Sequence, residues 1–72
     1  MMSTMPMQTY EAVLSKAQHV AQARAAKSAL ERVGGRIDFM PAAQPGMTLI
    51  VVMLPSGYLL DAFLPGLPFY LT

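Results

Sequence analysis

His19 is the only histidine in the chain and the first candidate for acid–base chemistry. A general base needs a nucleophile or a substrate proton within reach, and usually a group that orients it. The residues about one helical turn away are Ser15, Lys16, Gln22 and Ala23, and none of them is an acid. We therefore expect a solvated histidine, or one at the edge of the core, and not a catalytic residue.

Two carboxylates, Asp38 and Asp61, fall in the C-terminal half of the chain, where they could act as a pair. Glycosidase-type chemistry needs two carboxylates that face a cleft, and a chain of 72 residues is too small to build one. Asp61 stands alone in an apolar stretch. It can point to solvent, cap a backbone group or pair with a cation of a partner protein.

Basic residues concentrate between positions 16 and 36 and raise the question of nucleic-acid binding. They are Lys16, Arg24, Lys27, Arg32 and Arg36, with Glu31 the one acid among them. A nucleic-acid surface needs a denser positive charge, whereas the net charge of this chain is only +1. A solvated helix face is the favoured interpretation. The alternative is a small dimeric DNA-binding regulator that uses the basic helix.

The sequence contains no phosphate-loop, zinc-site or nucleophile-elbow motif. It also contains no cysteine, which removes disulfides and thiolate metal ligands. We therefore predict no catalytic, metal-binding or cofactor-binding residues and no enzymatic activity. The lack of cysteine fits a reducing compartment, and we expect a cytoplasmic protein.

The strongest binding candidates are aromatic residues near the C-terminus, together with one methionine and one acid. Aromatic residues and methionine are enriched at interface cores, and exposed apolar patches mark interaction sites. The alternative is that these residues form the core of their own domain. Because one helix covers only one side of a sheet, we favour contact with another protein chain. The predicted partner-binding residues are Met53, Tyr58, Asp61, Phe63, Phe69 and Tyr70.

The composition also calls for a binding surface. Apolar residues make up 54% of the chain and charged residues only 12%, against about 25% charged residues in a typical soluble domain. A membrane-spanning helix needs about 20 consecutive apolar residues, and the longest apolar run, residues 47–54, is far shorter. Residues 1–9 lack the basic start and apolar segment of a secretory signal. A membrane-associated small protein is therefore the second, less favoured alternative.

The apolar run at residues 47–54 predicts a strand that is buried on both sides. Side chains alternate across a strand, and here both faces are apolar: Ile50 and Val52 on one side, Leu49 and Val51 on the other. The flanking Gly46 and the β-branched content favour a strand over a buried helix.

Shorter strands are predicted on either side of this run. Residues 36–40 alternate polar with apolar side chains, which is typical of a half-buried edge strand. Residues 55–57, Pro-Ser-Gly, indicate a hairpin loop, so we predict a return strand over residues 58–64. A further short strand over residues 69–71 is left open.

Residues 10–33 predict one long helix. Good helix formers dominate, no proline or glycine interrupts them, Thr9 is the expected N-cap, and Gly34-Gly35 marks the end. Residues 1–9 are then a flexible N-terminal arm. The apolar residues of this segment fall on two opposite faces, which indicates either one helix with two contacts or a break near Gln22–Arg24. We favour the continuous helix because no breaker residue occurs there.

Such a helix is about 36 Å long, whereas strands of this size reach only about 17–20 Å. Part of the helix should then meet another chain. Small residues on one ridge would allow close approach of a second helix, although alanine is also simply a good helix former. The predicted self-association residues are Tyr10, Leu14, Ala17 and Ala21.

Together these features predict an α+β fold: one long N-terminal helix packed on a three- to four-stranded antiparallel β-meander, as a single domain over residues 10–72. The favoured function is that of a small non-catalytic protein-binding module. We expect it to be a homodimer that covers the surface of a partner protein, as an inhibitor or adaptor of the kind that phages and mobile elements encode.

Overall fold

The computed structural model describes residues 6–72, which form an antiparallel four-stranded sheet and a short helical segment. In chain order the elements are β1 (Met7–Leu14), α1 (Ala17–Ala25), α2 (Lys27–Arg32), β2 (Arg36–Pro41), β3 (Thr48–Pro55), a 3-10 helix (Leu60–Ala62) and β4 (Tyr70–Leu71). The strand order in the sheet is β2-β3-β1-β4. The predicted α+β class and the antiparallel sheet are confirmed.

Strand β3 is the centre of the sheet. It pairs with β1 from Thr48 to Pro55 and with β2 from Thr48 to Met53. The predicted burial on both sides is complete on one side only: Ile50, Val52 and Leu54 are buried, whereas Leu49, Val51 and Met53 are half-buried. The strands predicted at 36–40 and 47–54 correspond to β2 and β3 in the structure.

The prediction of a long N-terminal helix over residues 10–33 is wrong, because residues 7–14 form β1. Thr9 is therefore not a helix cap; it pairs with Met53 in the sheet. Tyr10, Ala12 and Leu14 alternate in the period of a strand, and the second edge of β3 offers them a full ladder of hydrogen bonds. The helix and strand propensity scales each span only about 1 kcal/mol per residue when proline is set aside, so tertiary pairing decides. Of the predicted flexible arm, residues 7–9 belong to β1, and residues 1–5 lie outside the described part.

The helix is short and runs from Ala17 to Arg32 with one irregularity at Ala26. The amide of Ala26 donates to the carbonyls of Gln22 and Ala23, both at 3.2 Å, and the amide of Leu30 donates to the carbonyl of Ala26 at 3.0 Å. The helical path thus passes through residues 22–24 without a break and deviates two residues later.

The predicted glycine stop takes the form of a Schellman turn. Gly34 has φ 84°, a conformation that costs other residues about 1–2 kcal/mol. Its amide donates to the carbonyl of Glu31 at 3.1 Å, and the amide of Gly35 donates to the carbonyl of Leu30 at 2.8 Å. This turn sends the chain from the helix directly into β2.

The core lies between the helix and one face of the sheet, which we call the inner face. Alternate residues of β1, β2 and β3 supply it from the sheet side, and the helix and the C-terminal tail supply it from the other side. The buried set is Ala12, Leu14, Ala23, Ala26, Leu30, Ile37, Ile50, Val52, Leu54, Leu60 and Leu64. Every member is apolar, and no buried polar or charged residue accompanies them among the described residues.

The prediction of a return strand over residues 58–64 is also wrong. Both edges of β3 are already occupied by β1 and β2, so the chain after Pro55 has no free edge beside it. The segment instead forms a turn and the 3-10 helix, and it places Leu60 and Leu64 in the core. The strand left open at 69–71 corresponds to β4, which pairs with Tyr10 and Glu11 of β1.

Candidate functional site

The sheet has a second face that points away from the helix. Its apolar residues, which we call the open face, come from all four strands: Met7, Val13, Met40, Leu49, Val51, Met53 and Tyr70. The register groups them in rows. Leu49 lies between Val13 and Met40, and Val51 lies between Glu11 and Asp38. Tyr70 extends the second row, because it pairs with Glu11.

No helix or strand of the described residues crosses the open face. The half-buried apolar residues that pack against the core come from the inner face, the helix and the tail: Tyr10, Val20, Val33, Phe39, Phe63, Leu67 and Phe69. At the margins of the open face, Val13 is 39% exposed, Met40 41% and Tyr70 53%. The three residues of β3 are half-buried, and none of them is among the residues that pack against the core. An apolar face of this kind is typical of a surface that another molecule covers.

Charged side chains interrupt the open face on both sides of Val51. Glu11 flanks it on β1 and Asp38 flanks it on β2. Asp38 Oδ2 accepts a hydrogen bond from Arg36 Nε at 3.0 Å, at the outer edge of the sheet. The face therefore combines an apolar band along β3 with two acids and one arginine at fixed positions beside it.

The predicted partner-binding residues divide between three places. Met53 and Tyr70 lie on the open face. Phe63 packs against the core and forms an edge-to-face pair with Tyr58, at a ring-centroid distance of 6.3 Å. Asp61 and Phe69 line a cleft beside β4. The sequence thus identified two members of the open face, and the remaining residues belong to the tail.

A concave surface lies beside β4. It is lined by Tyr10, Leu59, Leu60, Asp61, Leu67, Phe69 and Leu71. Leu59 is 78% exposed, and Asp61 is the single acid in the lining. The hydroxyl of Tyr10 donates to Gln8 Oε1 at 2.8 Å, which leaves that hydroxyl already engaged. The cleft can take an apolar group, but it does not assemble groups for chemistry.

The predicted self-association residues do not form one ridge. Tyr10 and Leu14 lie on β1, and Leu14 is buried in the core at 3% exposure. Ala17 and Ala21 are exposed on α1. A contact between helices through all four residues is therefore ruled out by the position of β1, and self-association itself stays a prediction.

The groups considered for chemistry lie apart from one another. Asp38 is on β2 and Asp61 lies beside β4, at opposite edges of the sheet, while His19 is on α1. Among residues 6–72, no group of three or more His, Cys, Asp or Glu side chains could hold a metal ion. None of the helices formed by these residues has the length and apolar character to cross a membrane.

Several basic side chains have partners within the chain. The guanidinium of Arg24 lies 4.5 Å from the centre of the Phe39 ring, an attractive cation–π arrangement. Lys27 Nζ lies 3.5 Å from Glu31 Oε2 on the same helix. With Arg36 bonded to Asp38, these contacts disperse the positive charge over three separate parts of the molecule.

Of the seven open-face residues, sequence reasoning placed only Met53 and Tyr70 in the binding set, and it missed Met7, Val13, Met40, Leu49 and Val51. Val13 was missed because residues 10–14 were assigned to a helix, in which they have different neighbours. The alternation of Tyr10, Ala12 and Leu14 was the signal that could have identified β1 as a strand. Met40 follows Asp38 by two residues in a predicted strand, so its face could have been derived from β2 alone.

No protein-family model matches this chain, and comparisons with curated proteins and with solved structures give no significant match. The open face and the cleft beside β4 are the two candidate binding surfaces of this chain.

Proposed function

We propose that this chain is a small non-catalytic protein-binding module that covers a surface of a partner protein with its open face. One observation carries the proposal: the outer side of the central strand, formed by Leu49, Val51 and Met53, is apolar along its length, and the described residues leave it uncovered. Binding of this kind is the way in which a small inhibitor or adaptor acts.

The free energy for binding comes from apolar area removed from water, at about 25 cal/mol per Å². The band along β3 is continuous with Val13 and Met40, which are both more than a third exposed. Methionines contribute three of the open-face side chains, and their flexible thioethers adapt to irregular partner surfaces. The open face is thus suited to a partner that presents apolar side chains of its own.

The charges beside Val51 favour a partner with complementary groups. Glu11 and Asp38 flank the apolar band from opposite sides, and complementary charges at an interface steer association and fix the register. A partner with apolar residues in the middle and a lysine or arginine opposite Glu11 fits this pattern. Stacking of one open face on another copy is disfavoured whenever the two Val51 rows align, because the acids then come together.

The test compares two variants that add the same charge on opposite sides of the molecule. Val51→Lys places a cation in the middle of the open face, whereas Ser28→Lys places one on the exposed surface of α2. Affinity purification from the native host, quantified by mass spectrometry, should recover a partner with the wild type and with Ser28→Lys. We expect at least a tenfold loss of that partner with Val51→Lys, while circular dichroism shows both variants folded.

Equal recovery with both variants would show that the partner binds elsewhere and would remove the open face from the proposal. A wild-type chain that recovers no protein above the background of an unrelated bait would contradict the proposed function as a whole. If double-stranded DNA binds with a strong salt dependence and Ser28→Lys strengthens that binding, the chain acts on nucleic acid instead.

A further inference from the structure

Strand β2 forms an edge of the sheet, and the direction of its backbone groups can be derived from one hydrogen bond. The amide of Ala42 donates to the carbonyl of Met47 at 3.1 Å, in the same register as the β2–β3 ladder. Hydrogen-bonded and non-hydrogen-bonded pairs alternate along antiparallel strands. The backbone groups of Ile37, Phe39 and Pro41 therefore point away from β3, towards the free edge.

The adjacent Gly35 supports this assignment. Gly35 precedes Ile37 by two residues, so the backbone groups of both point to the same side of the strand. The amide of Gly35 does turn away from β3, since it donates to the carbonyl of Leu30. The amides of Ile37 and Phe39 make no hydrogen bond to another part of the described chain. An edge strand with unpaired amides and carbonyls is a template for pairing with another strand.

We propose that β2 pairs antiparallel with β2 of a second copy, with the two-fold axis at Ile37. In this register Ile37 lies opposite Ile37 of the second copy, and the two residues exchange both backbone hydrogen bonds. The amide of Phe39 donates to the carbonyl of Gly35 across the axis. One further contact of this type follows from the symmetry, and the two four-stranded sheets join into one continuous sheet.

The side chains beside the axis select this register. It places Arg36 of each copy opposite Asp38 of the other copy, which gives two pairs of opposite charges. Opposite charges that face each other across strands are stabilising. A shift that centres the axis on Asp38 brings two aspartates together and leaves Arg36 opposite Met40. A shift to Phe39 places Arg36 opposite Ala42 and Asp38 opposite Met40, so no opposite charges face each other across the strands.

The burial of β2 is compatible with contact through the backbone. Ile37 is only 5% exposed, so its side chain stays in the core of its own copy and the contact at the axis is made by main-chain atoms. Arg36 and Met40 are exposed beside it. The Phe39 side chain lies opposite Gly35 of the second copy, which has no side chain of its own but is closely packed against the Leu30 carbonyl and the Leu54 side chain.

The edge pairing and the proposed function use different parts of the sheet and overlap at Asp38, which lies on β2 beside Val51. A two-fold axis perpendicular to the sheet leaves both open faces on the same side of the dimer, which doubles the apolar surface offered to a partner. Val51 lies on β3, away from the free edge of β2. The inference can therefore fail while the proposed function holds, and the reverse is also true.

The test is a charge swap measured by sedimentation equilibrium on the full chain. We expect the wild type to be a dimer at high micromolar concentration. Asp38→Arg places Arg36 opposite an arginine of the second copy and should raise the dissociation constant at least tenfold. The double variant Arg36→Asp/Asp38→Arg restores opposite charges across the axis and should recover dimerisation to within about threefold of the wild type.

Amide hydrogen exchange separates this edge from other interfaces. With rising concentration, the amides of Ile37 and Phe39 should exchange at least tenfold more slowly, while that of Val13, which also points away from β3 and has no hydrogen bond outside the sheet, stays unchanged. A wild-type chain that is monomeric at millimolar concentration overturns the proposal. So does a dimer that is indifferent to both charge variants, or one that leaves the two β2 amides unprotected.

Discussion

The two faces of the central strand differ in what covers them, although their side chains are of similar kind. On the inner side, Ile50, Val52 and Leu54 are completely buried beneath the helix and the tail. On the outer side, the intervening residues of β3 keep part of their surface exposed. One short helical segment suffices for one face of a sheet of this size. One whole face of the central strand thus stays partly exposed, while Leu59 and Leu71, the most exposed of the large apolar residues, lie apart from it beside β4.

The largest expected difference between the two faces comes from removing the same side chain on each. Leu54→Ala leaves a cavity in a packed core and should lower the free energy of unfolding by about 2–5 kcal/mol. Leu49→Ala removes the same atoms from the open face, where solvent and neighbouring side chains fill the space. We expect a loss below about 1.5 kcal/mol there. Urea denaturation followed by circular dichroism measures both values.

Equal losses of stability in the two leucine variants would contradict the predicted difference between the two faces of β3. Equal large losses would mean that the outer side of β3 is packed as tightly as the inner side. Equal small losses would mean that the helix does not form a well-packed core with β3.

A smaller difference is expected between two aromatic residues that the sequence placed in one binding set. Phe63 packs against the core and pairs with Tyr58, so Phe63→Ala should cost about 2 kcal/mol in the free energy of unfolding. Tyr70 is 53% exposed at the margin of the open face, and Tyr70→Ala should change stability by less than about 0.5 kcal/mol. Thermal and urea unfolding of the two variants provide the measurement.

The variants Phe63→Ala and Tyr70→Ala also differ in their expected effect on partner binding. Tyr70→Ala should weaken binding to the partner recovered by the wild type while the chain stays folded. If Tyr70→Ala instead destabilises the chain as much as Phe63→Ala, the aromatic residues form one core and the distinction between tail and open face is lost.

The parts of the fold that could be predicted are those whose ends are marked by glycine residues nearby in the sequence. Gly34 and Gly35 end the helix through their own conformations, and Gly46 bounds the apolar run that becomes β3. The junction between β1 and the helix has no such signal. Lys16 occupies the N-cap position without a side-chain hydrogen bond, and neither glycine nor proline separates the strand from the helix.

The remaining errors depend on partners that are distant in sequence. Residues 7–14 form a strand because β3 has an unoccupied edge, and residues 58–64 fail to form one because both edges are then taken. The propensities of residues 7–14 and 58–64 do not show which edges of β3 are free. Met53 and Tyr70 could be placed among the binding candidates by residue type, whereas Val13 joined the open face only through the register of β1 with β3.

Hydroxyl-radical footprinting of the free chain, at concentrations where it is monomeric, tests most directly whether the open face is uncovered. We predict that Leu49, Val51 and Met53 are labelled while Ile50, Val52 and Leu54 are protected, so that labelling alternates residue by residue along β3. Uniform protection of all six residues would contradict the account, because another part of the same chain would then cover the face that we assign to a partner.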